Sequence, residues 1–246
     1  MIHNLRLTRM ARLSGVRAIA GIGMLAGLTA MAGCTLDNNL TANGGPQGLI
    51  QFVNAAPRYR YVNLNVDSVK TVSVQSYGSG NSAYVDALAN ARQLTVKDSA
   101  NSTTLASTPL QVADQSVYLV LLTQHATGGN LLVFPDTASA PPGTSVGLRV
   151  INASPSAGAV DVYVTGADST LTTPVATKIG YEGNTGYLYS QNGGVLRLRV
   201  TVAGTKTVLL DVDASSLTPG QVRSIVLIDA AGGGLPASWL PVPDRG

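Results

Sequence analysis

The sequence predicts an all-β fold, arranged as two tandem antiparallel β-sandwiches of the immunoglobulin-like type, with a small barrel as the alternative. Residues 196–202 alternate apolar and polar side chains, which is the period of a strand with one buried face. Turn formers such as Asn192-Gly193-Gly194 recur about every ten residues, and no long segment after residue 34 has helical periodicity. Each half of the remaining chain has roughly the size of a seven- or eight-stranded sandwich.

The two halves repeat each other, and this predicts two domains of the same design. The segments 49–57, 62–66, 80–85 and 120–122 recur in the same order as 147–155, 160–164, 183–188 and 226–228, and both halves close on Pro-Asp. Residues 117–122 are continuously apolar, which is typical of a central strand covered on both faces. We expect one sandwich over 48–136, a linker over 137–145 and a second sandwich over 146–246.

The first 33 residues have the pattern of a secretory signal. Four arginines, Arg6, Arg9, Arg12 and Arg17, precede an apolar run over residues 18–32, which ends in small residues. A membrane-spanning helix needs about 20 apolar residues, and this run is shorter and contains glycine. We therefore expect residues 1–33 to be removed rather than to remain as a span.

The signal ends at Met31-Ala32-Gly33-Cys34, which resembles the lipobox of bacterial lipoproteins, with Met31 where that family usually has Leu. The resemblance implies cleavage before Cys34 and a diacylglyceride and palmitate anchor on that cysteine, followed by a flexible tether over 34–47. Thr35 replaces the Asp that typically retains such proteins at the inner membrane, so we expect the outer membrane. The alternative is an ordinary secretory signal that is cut nearby, with Cys34 as an incidental thiol.

Removal of the signal changes the charge of the chain. The full chain has 16 basic and 13 acidic residues, a net charge of +3. Without the four signal arginines, 12 basic residues face 13 acidic ones, a net charge of −1. The positive net charge of the full chain therefore comes from the signal and is no evidence for nucleic-acid binding, so we predict no nucleic-acid partner. The single cysteine excludes an intrachain disulfide.

A family resemblance rests on residues 148–155 and 159–166, together with 186–188 and the strand pair over 196–210. These segments are similar to a family of extracytoplasmic bacterial domains of unknown function (DUF4397), over most of 146–230 and, more weakly, over 48–136. The first copy departs from the pattern, because Arg58–Tyr61 replaces small residues and Asn63 replaces an aspartate. The resemblance implies a secreted, often tandem β-domain and supplies no catalytic residues.

Reactive side chains are scarce, and we predict no enzyme, metal or cofactor. His125 is the only histidine left after signal removal, Glu182 is the only glutamate, and no Gly-x-Ser-x-Gly motif is present. Zinc sites need clusters of Cys and His. Asp211 and Asp213 could donate two oxygens to calcium, but two exposed carboxylates beside a turn are the alternative that we favour.

Several repeated or unusual residues receive structural interpretations. Asn54 and Asn152 follow strands, where Asn side chains commonly bond local backbone. Tyr84 and Tyr187 are interpreted as core or corner aromatics of a sandwich. Gly232-Gly233-Gly234 is interpreted as a flexible turn, because it lacks the Lys and the following helix of a phosphate loop.

Arg58, Tyr59, Arg60 and Tyr61 form the candidate binding site, because Arg and Tyr together can stack on and hydrogen-bond a sugar or a peptide. Packing of these long side chains over apolar surface is the alternative. The sequence thus predicts a non-catalytic binding module for an envelope protein or polysaccharide. A structural spacer or accessory subunit of an envelope complex is the alternative, and a hydrolase of unrecognised type ranks third.

Overall fold

The computed structural model describes residues 45–166, 168–190, 196–212 and 219–244. These residues form strands and connecting turns, without a helix, which confirms the predicted all-β class. Accordingly, no helix in the described ranges could span a membrane. The predicted signal, Cys34 and most of the tether lie outside the described residues.

The strands of the described residues fall into two sets of eight, here called the first half and the second half. The first half comprises β1 (Gln47–Asn54), β2 (Tyr61–Val66), β3 (Val69–Ser76), β4 (Val85–Leu88), β5 (Asn90–Asp98), β6 (Thr104–Val112), β7 (Val117–His125) and β8 (Gly128–Pro135). The second half comprises β9 (Val146–Asn152), β10 (Val160–Gly166), β11 (Ala176–Ile179), β12 (Leu188–Ser190), β13 (Leu196–Val202), β14 (Val208–Val212), β15 (Val222–Ile228) and β16 (Ser238–Pro243).

Each half contains two four-stranded sheets with the same strand order. The inner sheets run β4-β1-β7-β8 and β12-β9-β15-β16, and the outer sheets run β3-β2-β5-β6 and β11-β10-β13-β14. The described strand pairs are antiparallel except for one pair in each inner sheet, β1 with β7 and β9 with β15, which is parallel. The expectation of purely antiparallel sandwiches therefore needs this correction.

Each half has its own hydrophobic core between its inner and outer sheets. In the first half, Phe52 and Leu122 of the inner sheet pack with Leu64 and Leu94 of the outer sheet. The second core is built in the same way from both sheets of its half. Alternate residues of each strand point to opposite faces, so the remaining inner-sheet side chains face away from these cores.

A third core joins the two inner sheets face to face. Its buried apolar members are Val53, Ala55, Leu119, Leu121, Ile151, Ala153, Val226, Ile228, Leu240 and Val242. The four sheets are thus stacked as four layers, and both inner sheets are covered on both faces. This explains the continuous apolar run in β7 and the complete burial of β9.

The strand pairing defines which residues of the two halves are equivalent. Asn54 lies opposite Leu122, and Asn152 lies opposite Leu227. Leu122 is therefore equivalent to Leu227, whereas the sequence comparison aligned it with Ile228. The alignment of segment 120–122 with 226–228 is wrong by one residue, and a shift of one residue in a strand exchanges its two faces.

The contact between the halves follows an approximate two-fold symmetry. The Tyr77 hydroxyl donates to the Asp229 carbonyl at 2.7 Å, and the Tyr181 hydroxyl donates to the Gln124 carbonyl at 2.7 Å. Gln124 and Asp229 are equivalent, because each lies two residues after the matched leucine. The two halves therefore offer each other matching surfaces, as the subunits of a symmetric dimer do.

A second reciprocal contact lies near the other end of the interface. Tyr187 donates to the Asp136 carboxylate at 3.1 Å, and Tyr84 donates to the Pro243 carbonyl at 3.3 Å. Both tyrosines thus hold the opposite half, which corrects their interpretation as core or corner residues of a single sandwich. Both acceptors belong to the Pro-Asp pairs that close the two halves: Asp136 follows Pro135, and Pro243 is itself the acceptor.

Candidate functional site

A cleft of about 520 Å³ lies between the halves, beyond the ends of the parallel inner strands. Its lining comes from both halves: Pro57, Arg58, Gln124, Pro155, Ser156, Asp229, Gly232, Gly233 and Gly234. Its volume lies within the range of ligand sites in proteins, about 300–1,000 Å³.

Equivalent loops form the floor of the cleft. The Asn54 Nδ2 group donates to the Tyr59 carbonyl at 2.7 Å, and the Asn152 Nδ2 group donates to the Gly158 carbonyl at 2.7 Å. Each Asn also accepts a hydrogen bond from the backbone amide two residues further on. The predicted structural role of the two asparagines is confirmed, and it places Pro57 and Pro155 at matching positions in the cleft.

The equivalent residues of the cleft differ in chemistry. Arg58 is equivalent to Ser156, because each lies four residues after the matched Asn, and Gln124 is equivalent to Asp229. The β7–β8 turn is short, whereas a longer connection with three glycines joins β15 to β16. The two halves thus contribute different functional groups to the cleft.

Arg58 is exposed and held at both ends. Its backbone amide donates to the Gln124 Oε1 atom at 2.9 Å, and its Nη1 group donates to the Ala126 carbonyl at 2.9 Å. Both partners belong to the β7–β8 hairpin or its base. The guanidinium is therefore positioned by the first half before any ligand arrives.

Asp229 forms the opposite wall and is 2% exposed. Its carboxylate accepts hydrogen bonds from the Ser154 and Ser156 hydroxyls, from the Ser156 amide and from the Gly234 amide. These four donors occupy the acceptor sites of a carboxylate, which number about four. Asp229 therefore fastens two loops together and has little capacity left for a ligand.

The glycines of the β15–β16 connection have the left-handed backbone that other residues rarely adopt. Their φ angles are 96° at Gly232, 93° at Gly233 and 84° at Gly234. A Cβ atom added to any of them would meet nothing within 4 Å. The predicted turn is confirmed, and the absence of side chains leaves its backbone open to the cleft.

The structure separates the four residues of the predicted binding site. Arg58 lines the cleft, whereas Tyr59 is half-buried and packs against the core of the first half. Arg60 and Tyr61 form an exposed pair, with the guanidinium 5.1 Å from the ring centroid. Arg58 alone among the four lines the cleft.

His125 and Glu182 meet across the halves, a contact that the sequence did not suggest. Glu182 Oε1 lies 2.9 Å from His125 Nε2 and accepts the Thr123 hydroxyl at 2.5 Å, and its Oε2 accepts the Asn130 amide at 3.1 Å. The Thr123 side chain is completely buried, so its hydroxyl cannot attack a substrate. The cluster joins the halves through Glu182, and its one hydroxyl, that of Thr123, is out of reach of a substrate.

Arg149 makes a further polar contact between the halves and is almost fully buried. Its guanidinium bonds Ser224, the Pro135 carbonyl and the Asp244 carboxylate, and it lies 4.4 Å from the Tyr187 ring centroid. Burial raises the pKa of Asp244 and outweighs the opposite effect of Arg149, and burial raises the pKa of Tyr187 as well. The full set of partners satisfies these groups internally, so we assign them to the interface.

The described residues contain no cluster of His, Cys, Asp or Glu that could hold a metal ion. Asp211, one of the two carboxylates considered for calcium, pairs with Arg197 at 2.5 Å, and Asp213 lies outside the described residues. Sequence reasoning missed Gln124, Asp229 and Glu182 as parts of the junction. The repeat gave no usable signal for Gln124 and Asp229, because the sequence alignment of these strands was wrong by one residue and did not pair them.

The protein is thus all-β, with two sheets in each half and a cleft between the halves. A family model described as a domain of unknown function, DUF4397, matches residues 48–163, which run from β1 into β10. The match covers the first half and the start of the second. No curated protein sequence matches the chain.

Solved structures of carbohydrate-binding proteins show a weak similarity. An α-glucan-binding streptococcal virulence factor is 10% identical, with 78% of this chain and 96% of that chain covered and a TM-score of 0.27. A family 26 carbohydrate-binding module of Eubacterium rectale Amy13K, in complex with maltoheptaose, is 11% identical, with 80% and 97% covered and a TM-score of 0.26. Similarity at this level assigns no ligand to the chain.

Proposed function

We propose that the protein is a non-catalytic binding module of the bacterial cell envelope, anchored by lipid on Cys34, with the cleft between the halves as its binding site. The cleft carries this proposal, because both halves line it and because its equivalent residues, Arg58 with Ser156 and Gln124 with Asp229, have different chemistry. The interface elsewhere is apolar or internally hydrogen-bonded.

The anchor and the site have complementary roles in this proposal. The lipobox-like segment and the small, polar tether over 34–47 would hold the folded part at a membrane while leaving it free to reorient. A module of this kind needs affinity and access rather than reactive groups. The scarcity of His and Glu in the chain agrees with that requirement.

The anchor is tested by Cys34→Ser. We expect the variant to move from the membrane fraction to the soluble fraction, and we expect lipid mass only on the mature N-terminus of the unmodified protein. Unchanged membrane retention together with an N-terminus free of lipid would contradict the anchor.

The site is tested by photocrosslinking in intact cells from a benzoylphenylalanine placed at Pro155. Pro155 is exposed and lines the cleft. Because proline has no backbone N–H group, its replacement breaks no hydrogen bond donated by the backbone at this position. The matched control is the same probe at Gln111, an exposed position near the end of β6. The Gln111 carbonyl accepts from Tyr118 at the start of β7, so it lies at the end of β7 away from the cleft. We expect a crosslinked envelope component from position 155 and none from 111. Equal products from both positions would favour a spacer without a defined site.

A further inference from the structure

We propose that the cleft binds a carboxylate-bearing polysaccharide segment, with Arg58 holding the carboxylate. This inference rests on the proposed function and adds the chemical class of the ligand. It follows from which hydrogen-bonding groups of the cleft are already used and which remain available.

The available groups on the first half are donors. A guanidinium has five N–H donors, and within the described residues Arg58 uses one of them, toward Ala126. The Gln124 side chain also lines the cleft and uses its oxygen for the Arg58 amide, so its amide nitrogen, which has no hydrogen-bond partner among the described residues, is a second donor. A ligand that fits this wall must bring acceptors, and a carboxylate matches the fork of an arginine best.

The acidic group of the cleft does not compete for Arg58. Asp229 is the one acidic residue in the lining, and no ion pair joins it to Arg58. Its four hydrogen bonds come from its own half. Arg58 therefore keeps a charge that no carboxylate of the cleft neutralises.

The position of Arg58 is fixed in advance, which favours binding. Its two hydrogen bonds to the β7–β8 hairpin restrict a side chain that otherwise loses much rotational freedom when a ligand is bound. The same position in the second half is Ser156, whose hydroxyl bonds Asp229. The carboxylate is thus expected on the first-half side of the cleft.

The opposite wall suits a hydroxyl-rich chain better than a peptide. It consists of Pro155, Ser156 and the glycines 232–234, and Pro57 lies on the first-half side. The Gly233 and Gly234 amides and the Gly234 carbonyl are bonded within the second half, so the carbonyls of Gly232 and Gly233 are the backbone acceptors without a partner among the described residues. A bound peptide usually gains specificity from pockets for its side chains, whereas this wall has Pro155 as its one apolar side chain among the described lining residues. Sugar hydroxyls, in contrast, can donate to the Ser156 oxygen and to backbone carbonyls.

The test compares polygalacturonate oligomers with the same oligomers methyl-esterified at the carboxylates, so that only the charge differs. Binding to the mature full-length protein is measured by calorimetry at moderate salt. We expect the acid form to bind about tenfold or more tightly than the ester, because a charge-assisted hydrogen bond is lost with the ester.

Arg58→Gln is the test variant, and Arg60→Gln is its control. The control removes the same charge two residues away, from an exposed guanidinium that lies over the Tyr61 ring and does not line the cleft. We expect Arg58→Gln to lose about tenfold in affinity for the acid form, with an unchanged melting temperature, and Arg60→Gln to bind as the parent does. Ester binding as tight as acid binding, equal losses in both variants, or no binding of either oligomer would each overturn the inference.

These outcomes are separate from those of the proposed function. A crosslinked component at position 155 in cells would still support a binding cleft if the acid oligomers failed to bind. Absence of any product at 155 would remove the cleft itself, whatever the oligomers do.

Discussion

Leu121 and Leu122 provide a direct test of whether the four layers fold as one unit. They are neighbours in β7, both completely buried, and they point to opposite faces. Leu122 packs in the core of the first half, whereas Leu121 packs in the core between the halves. In a first half that stood alone, Leu121 would face solvent.

The expected magnitude follows from this burial. Truncation of a buried leucine to alanine costs about 2–5 kcal/mol, whereas a surface substitution usually changes the free energy of unfolding by about 0.5 kcal/mol or less. We expect Leu121→Ala and Leu122→Ala each to lower the free energy of unfolding by about 3 kcal/mol. For a unit of this size that corresponds to a fall in melting temperature of about 6–12 °C.

Trp239 makes the assay specific, because it is the only tryptophan and lies in β16 of the second half. Urea unfolding followed by its fluorescence therefore reports on the half that carries neither substitution. We expect both variants to lower the midpoint of the Trp239 transition, coincident with the change in circular dichroism. A Trp239 transition unmoved by both variants, with a separate transition elsewhere, would refute the packing of the halves as one cooperative unit.

Two further predictions concern the interface symmetry and the pH response. Tyr77→Phe and Tyr181→Phe each remove one hydrogen bond between the halves, so we expect similar losses of about 1 kcal/mol in the free energy of unfolding; a large loss in one and none in the other would contradict their equivalence. Backbone hydrogen bonds from Gly204 and Lys178 lower the pKa of Asp161 below its ordinary value of 3.8. The stability that this carboxylate adds is present above that value and is lost as the pH falls through the lowered pKa. The difference in unfolding free energy between the parent and Asp161→Asn should therefore shrink between about pH 7 and pH 3, and a constant difference in urea titrations would contradict it.

The sequence predicted the strand content well, because alternation and turn residues act locally. It also predicted from residues 117–122 that β7 is covered on both faces, which is confirmed. It did not predict what covers the second face. The apolar run by itself predicts that β7 is buried. Which sheet covers its second face depends on the surface of the other half.

The internal alignment shows a second limit of the sequence. Segments 120–122 and 226–228 are both apolar throughout, so either of two registers matches them equally well. Pairing with Asn54 and Asn152 selects Leu227 as the equivalent of Leu122. In strands buried on both faces the apolar pattern loses the period that would otherwise fix the register.

The candidate site was predicted in part. Arg58 does line the cleft, but the bond from Asn54 to the Tyr59 carbonyl helps to form a turn in which Tyr59 packs against the core. The contact of His125 with Glu182 joins residues 57 positions apart in the sequence. Such contacts follow from the packing of the two halves, which no local pattern encodes.

The place of β16 in the stack has a consequence for how the chain acquires its structure. This last described strand supplies Leu240 and Val242 to the core between the halves, and the β1–β7 pair also joins residues far apart in the sequence. Contacts of this kind form late and slow the folding of a chain. A chain that emerges from its N-terminus onward therefore stays incomplete until residues 238–243 have arrived. For a protein exported as we propose, the final assembly of the four layers takes place at the destination, after passage through the membrane.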